Sequence, residues 1–282
     1  MVASPLSTDD NPTLLLLHAS GLDRASWDSV IARFPGYART VAIDLPGHGQ
    51  TPGLVYDVEF VARMAEHVAE KVAALGLDRP HVVGHSLGAA VALELASRVP
   101  VAAVTAFCTI GFCTTMQGRL RASKVRAMVR LAGAFGPKVR RRLLGRATFR
   151  RMVMSDLSAK PAALRPEVVA ADVSSMIDSD IVALTRFAGR STFSAPERLA
   201  STPVNLVWAD QDRIVPLGAA DRARRLYPKA RHRVILGSGH LVMRDDPDGT
   251  AAIIHACHAH LMREHQRCGT RVCDEETLPP KG

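Results

Sequence analysis

Runs of a few continuous apolar residues, each bounded by polar residues or glycine, recur along this chain with helical patterns between them. The runs at 13–17, 40–43, 81–83, 101–107, 204–208 and 233–236 are short for helices and read as buried strands. Between the second and third runs, residues 60–75 place Val61, Met64, Val68, Val72 and Leu75 on roughly one helical face, and Gly76 ends the pattern. Further helical patterns occupy 27–34, 87–97, 218–226 and 251–265. Strand and helix in alternation call for an α/β class: a mostly parallel sheet flanked by helices on both faces. Nothing repeats at a fixed period, so a solenoid is excluded.

Residues 112–195 interrupt the rhythm. They read as helical throughout, with Pro137, Pro161 and Pro166 as boundaries and no strand pattern. A helical cap or lid inserted between two strands accounts for this, leaving 1–111 and 196–265 as the core and 266–282 as a C-terminal tail. The 282 residues, 47% hydrophobic, suffice for one large core with such an insertion. No run of about 18 apolar residues occurs, so no membrane span is expected. The first ten residues lack a basic region followed by an apolar run, which argues against a secretory leader. Five irregularly spaced cysteines are not a disulfide framework, so free thiols and a cytoplasmic setting are expected.

Gly84-His85-Ser86-Leu87-Gly88 follows a strand and precedes an Ala-rich helix, the context in which a G-x-S-x-G turn presents a nucleophilic serine. Turning from strand to helix in so few residues strains the serine backbone and leaves no room for side chains at Gly84 and Gly88. The hydroxyl then stands at a helix N-terminus, where unpaired N–H groups stabilise developing negative charge. A serine needs a base, and the base needs an orienting acid. His240, in Gly237-Ser238-Gly239-His240 just after the last strand, is the candidate base. Asp212, after the preceding strand, is the candidate acid, with Asp210 two residues away as the alternative. In a parallel sheet these loops emerge on one edge, so Ser86, Asp212 and His240 can converge.

These segments, together with Leu17-His18-Ala19-Ser20-Gly21, Asp44-Leu45-Pro46-Gly47-His48-Gly49 and Ile214-Val215-Pro216, resemble the α/β-hydrolase fold family over residues 13 to about 262. The resemblance implies a serine-nucleophile member with a helical cap and favours Asp212 as the triad acid. It implies an oxyanion hole from the backbone N–H groups of Leu87 and Ser20, with Ala19 as the alternative to Ser20. Ala19 stands where the family usually has glycine, so the backbone there has less freedom. Family members usually begin with a β-hairpin, whereas only twelve residues precede the first strand here, room for a rudimentary edge strand. Serine at the elbow sets the chain apart from the dehalogenases and related epoxide hydrolases of the fold, which carry aspartate. The expected reaction is cleavage of a carboxylic ester through a Ser-His-Asp acyl-enzyme, with no cofactor. A lactone or C–C bond hydrolase, or a noncatalytic small-molecule receptor, is the alternative.

The remaining polar residues read as structural. His18, Asp44 and His48 are expected in hydrogen-bonded loops, and His255, Cys257, His258, His260, His265, Cys268 and Cys273 match no compact zinc spacing, so no metal is expected. His67 has no assigned role, and His85 is expected to shape the pocket without being the base. Trp27, Phe107, Phe112 and Trp208 are expected in the core or pocket wall. Met116, Met128, Leu131, Phe135, Met152 and Met154 are candidates to line an apolar pocket from the cap.

The net charge of +9 is local: residues 119–151 hold twelve Lys or Arg and no Asp or Glu, so the rest of the chain carries −3. Such a local field can draw anionic substrates, lipid headgroups or nucleic acid, and the simpler reading is a solvated helical face. Should Arg119, Arg121, Lys124, Arg126 or Arg130 point inward, the acyl substrate would be anionic. No basic–aromatic interleaving suggests a nucleic-acid partner. A homo-oligomer is compatible with the sequence.

Overall fold

The computed structural model describes residues 12–35, 38–189, 199 and 201–272. Six strands form one sheet: β1 (Leu14–Leu17), β2 (Thr40–Ile43), β3 (His81–His85), β4 (Ala103–Phe107), β5 (Val204–Ala209) and β6 (Arg231–Ile235). All adjacent pairs are parallel, in the order β2-β1-β3-β4-β5-β6. The four inner strands are buried along their length, as continuous apolar runs require. The outer two depart from the buried strands expected at 40–43 and 233–236. With a neighbour on one side only, β2 is half-buried and β6 is largely exposed, presenting Arg231 and Arg233 to solvent.

Alternate residues of the inner strands serve opposite faces. Leu15, Leu17, Val82, Val104 and Leu206 meet α2 (Phe60–Ala74), α3 (Leu87–Ala96) and α9 (Ala219–Leu226). Leu14, Leu16, Val83 and Val207 meet Trp27, α1 (Asp28–Ile31) and α11 (Pro247–Val272). The helix expected over 27–34 is shorter, a 3₁₀ turn at Arg24–Trp27 followed by α1. Helix α11 runs seven residues beyond the expected end at 265, into the segment expected to be a tail. Residues 273–282, including Pro279-Pro280, and the short N-terminal segment 1–11 lie outside the described residues. No helix among the described residues is long and apolar enough to cross a membrane.

Between β4 and β5 the chain leaves the sheet and forms α4 (Thr115–Gly133), α5 (Pro137–Leu144), α6 (Ala147–Met154), α7 (Pro166–Asp178) and α8 (Ile181–Leu184). Thr114 and Gln117 close a reciprocal cap on α4, each side chain accepting from the other residue's backbone amide at 3.2 Å. Pro137 and Pro166 open α5 and α7, where a missing N–H costs nothing. Arg150, expected only as part of a basic surface, is buried and donates to the carbonyls of Leu144, Gly145 and Ala162, pinning the end of α5.

Charged groups fasten this cap to the core just downstream of His240. Arg244 in α10 (Val242–Asp245) forks onto Asp172 of α7 at 2.7 and 3.0 Å, both largely buried. Asp245 accepts from Ser158 Oγ at 2.5 Å, the Ala159 amide at 2.8 Å and the Gly239 amide at 2.7 Å. Burial raises the Asp172 carboxyl above its ordinary value even though Arg244 opposes it, so desolvation is the larger effect. Asp172→Ala would leave a buried guanidinium without its partner and is expected to cost about 3 kcal/mol or more. Urea denaturation measures this, and a loss below about 1 kcal/mol would class the pair with exposed ones.

Candidate active site

The turn from β3 into α3 sets Ser86 at φ 55° and ψ −108°, a left-handed conformation that costs a non-glycine residue on the order of 1–3 kcal/mol. Close packing explains the flanking glycines. A Cβ on Gly84 would strike the Gly88 carbonyl and the Ala89 backbone, and one on Gly88 would strike the carbonyls of Leu17 and His18. The amide of Ser86 is held by the Phe107 carbonyl at 2.8 Å, and that of Gly88 by His18 at 3.1 Å. Strand ends β1 and β4 therefore brace the turn from both sides.

Three loops meet at this edge of the sheet. Ser86 Oγ lies 2.9 Å from His240 Nε2, and His240 Nδ1 lies 2.8 Å from Asp212 Oδ2. The other Asp212 oxygen accepts the amides of Ile214 and Val215, each at 2.8 Å. Burial alone would raise this carboxyl, but the His240 contact and the two amides together hold it below the ordinary carboxylate range. A carboxylate on Nδ1 leaves Nε2 as the nitrogen facing the serine. Asp210 does not reach the imidazole; its carboxylate takes the Ser238 amide at 3.2 Å and shapes the histidine loop.

Ser86, Leu87 and His240 line a cavity of ≈ 170 Å³ together with Ala19, Ser20 and largely apolar side chains of the cap. Among the described residues, neither the Leu87 nor the Ser20 amide donates a hydrogen bond, so both are available to a bound oxygen. His18 supplies a reason for the direction of the Ser20 amide. Its Nε2 accepts from Leu45 N at 2.9 Å, so Nδ1 carries the proton and donates to the Ala19 carbonyl at 2.8 Å. That carbonyl and the Ser20 N–H belong to one trans peptide and point opposite ways.

The cap contributes differently from expectation. Of its six proposed apolar lining residues, Met128 lines the cavity. Met116, Leu131, Phe135 and Met152 are exposed instead, and Met154 is buried in the core. Val125, Met176, Ile181 and Leu184 form the wall in their place, because α4 turns its 118–122–125 face inward. Of the five basic candidates Arg121 alone lines the cavity. Trp27, Phe107, Phe112 and Trp208 are fully buried core residues.

Two residues bear on the triad in ways the sequence did not announce. His85 Nε2 donates to the backbone carbonyl of His240 at 2.8 Å, holding the base's own peptide. Cys108 is buried beside Asp212, and burial, with the Asp212 charge adding to it, pushes its thiol well above the ordinary value, so it stays an uncharged S–H next to the carboxylate. His85, Cys108 and His240 are also the group among the described residues whose ligand atoms lie close enough to share a metal, within 4.8 Å. Of these three, His240 stands in the hydrogen-bonded series with Ser86 and Asp212.

His18, Asp44 and His48 prove to be loop residues. Asp44 accepts from the amides of Arg24 and Gln50 at 2.8 and 3.2 Å, and His48 Nδ1 meets the Pro46 carbonyl at 2.9 Å. In α11, His258 stacks on His81, and His260 contacts Arg231 at 2.8 Å; His265, Cys268 and Cys273 lie outside the residues whose side chains are described.

A family model described as the alpha/beta hydrolase family matches residues 14–253. An uncharacterized protein of Mycobacterium tuberculosis (strain H37Rv) is 27% identical over 253 residues, which cover 84% of this chain and 72% of that protein. Among solved structures, an esterase from Exiguobacterium antarcticum gives a TM-score of 0.70 at 14% identity, covering 88% of this chain and 92% of that one. The 2-hydroxy-6-oxo-6-phenylhexa-2,4-dienoate hydrolase from Rhodococcus sp. strain RHA1 gives 0.68 at 20% identity, covering 90% and 92%. At these identities the two structures are alike in fold.

Burial lowers His18 to about 4 and His81 and His85 to about 3, each with help from a neighbouring histidine. Below about pH 6.5 the unfolded chain protonates these three groups while the folded chain does not. Stability is therefore expected to fall as pH drops from 6.5 toward 4, with a limiting slope of roughly 4 kcal/mol per pH unit. Denaturant titrations at pH 7, 6 and 5 check this; a flat profile would show that the imidazoles are not buried neutral.

Proposed function

The chain belongs to the alpha/beta hydrolase family, and on that premise we propose that it is a serine hydrolase cleaving a carboxylic ester by acyl transfer to water. One observation carries the reading: a serine, an imidazole and a carboxylate in hydrogen-bonded series, at 2.9 and 2.8 Å, open to an apolar cavity. In this scheme His240 Nε2 takes the Ser86 proton as Oγ attacks the substrate carbonyl. Asp212 holds the tautomer and balances the imidazolium. The amides of Leu87 and Ser20 receive the oxyanion, an interaction worth about 3 kcal/mol for one such donor. His240 then returns the proton to the departing alcohol, and a water it activates opens the acyl-enzyme. An esterase and a dienoate hydrolase share the fold, so fold does not choose the bond. An ester is the reading that asks least beyond the serine machinery.

Arg121 supports a finer statement, that the preferred ester bears a carboxylate. Its guanidinium lines the cavity, meets Cys113 Sγ at 3.5 Å and has no acidic partner among the described residues. Burial raises the Cys113 thiol above its ordinary value although Arg121 opposes this, so the sulfur brings no compensating charge. An uncompensated cation in an apolar wall favours a ligand of opposite sign.

Ser86→Ala is expected to abolish labelling by a fluorophosphonate and to lower ester turnover by about five orders of magnitude or more, and Asp212→Asn by about four. An unlabelled wild-type serine with no turnover across an ester panel would leave a binding protein. Arg121→Gln should raise KM for carboxylate-bearing esters roughly tenfold or more and leave neutral esters unchanged. Equal effects on both would remove the charge preference and spare the mechanism.

A further inference from the structure

Helix α4 has two working faces. Gly118, Ala122 and Val125 look into the cavity. On the opposite side Met116, Leu120 and Leu131 are 81%, 61% and 62% exposed. At 3.6 residues per turn these three fall within roughly 60° of one another, with the exposed Ala127 between them. Arg119 and Arg130 flank this apolar stripe on one side and Lys124 on the other, all exposed.

What sets this stretch apart is a density of cations with no acidic residue among them. Elsewhere Arg24, Arg33, Arg63, Arg98, Arg224 and Arg244 each pair with a carboxylate. Among the described residues none of the twelve basic residues in 119–151 does, and no acidic residue lies in that stretch. Val139 and Met152 on the next two helices of the cap, and Phe135 between α4 and α5, are exposed as well.

We propose that the outer face of α4 docks on an anionic lipid surface, with Met116, Leu120 and Leu131 entering the headgroup–acyl boundary and the flanking Arg and Lys meeting lipid phosphates. Neither half of the feature explains the other. A solvated basic face has no use for a row of exposed Met and Leu, and an apolar protein partner has no use for a dense single-sign field. A nucleic acid would answer the charge, but the stripe offers no aromatic ring for base stacking. A helix with an apolar strip bordered by cations, lying in the interface plane, satisfies both halves. The opposite face of the same helix would still wall the cavity, so docking would hold the cavity against the membrane side of the molecule. This inference does not depend on the chemistry at Ser86.

Vesicle co-sedimentation of the full chain tests it. Vesicles of phosphatidylcholine with phosphatidylglycerol should bind the protein, pure phosphatidylcholine should not, and raised salt should weaken binding. Arg119→Gln/Lys124→Gln/Arg130→Gln should weaken it about 100-fold. Met116→Gln/Leu120→Gln/Leu131→Gln should weaken it by more than about tenfold while keeping the charge. Circular dichroism spectra and Tm of both triple variants should match the parent, and Ser86→Ala should bind as the parent does. No binding to anionic vesicles, binding that survives the apolar substitutions, or tighter binding to duplex DNA than to vesicles would overturn the proposal.

Discussion

A parallel ladder joins all six strands, and each connection must cross a face of the sheet before the next strand can pair. Helices therefore cover both faces, and every strand discharges its chain at the same edge. Ala19 follows β1, Ser86 follows β3, Cys108 follows β4, Asp212 follows β5 and His240 follows β6. Residues separated by more than a hundred positions become neighbours without any long loop. The largest excursion, between β4 and β5, leaves the sheet at that edge, which is why the cap lies over the serine.

Holding a side chain in a left-handed turn demands that the surroundings leave it no alternative. The carbonyls of Leu17 and His18 pressed against Gly88, and the Phe107 carbonyl on the Ser86 amide, do this from neighbouring strands. The acid and base are over-determined in the same way. Asp212 has two backbone amides besides the imidazole. The His240 peptide is gripped by His85, and the preceding Gly239 amide by Asp245, which also holds Ser158 and Ala159 of the cap. Cap and base are thus parts of one hydrogen-bonded assembly.

Much of this was legible in the sequence because it depends on local rules. Short apolar runs mark inner strands, glycines two residues either side of Ser86 mark a turn without room, and chain order ranks the loops. What stayed hidden depends on pairing across the molecule. Edge or centre is a property of neighbours, so β2 and β6 read like the inner strands although each lacks one partner. The two faces of α4 both carry apolar residues, and periodicity does not say which faces the cavity; Met116 and Leu131, candidates for its lining, are exposed on the outer face. Asp210 and Asp212 differ in role through a turn whose amides take Asp212 Oδ1, a detail below the resolution of spacing. His85 reads as a pocket residue, does not line the cavity and holds the His240 peptide instead, and Cys108 gives no signal, because an x position in the elbow and a residue after a strand have no required chemistry.

Strand β6 closes the sheet with an open row of backbone donors and acceptors. A flat apolar strand there would invite the same strand of another molecule to continue the ladder. Arg231, His232 and Arg233 occupy it instead, and each incoming copy would have to bring its own cations alongside. The polar character of this border, costly in buried area, is of the kind that disfavours edge-to-edge pairing of sheets.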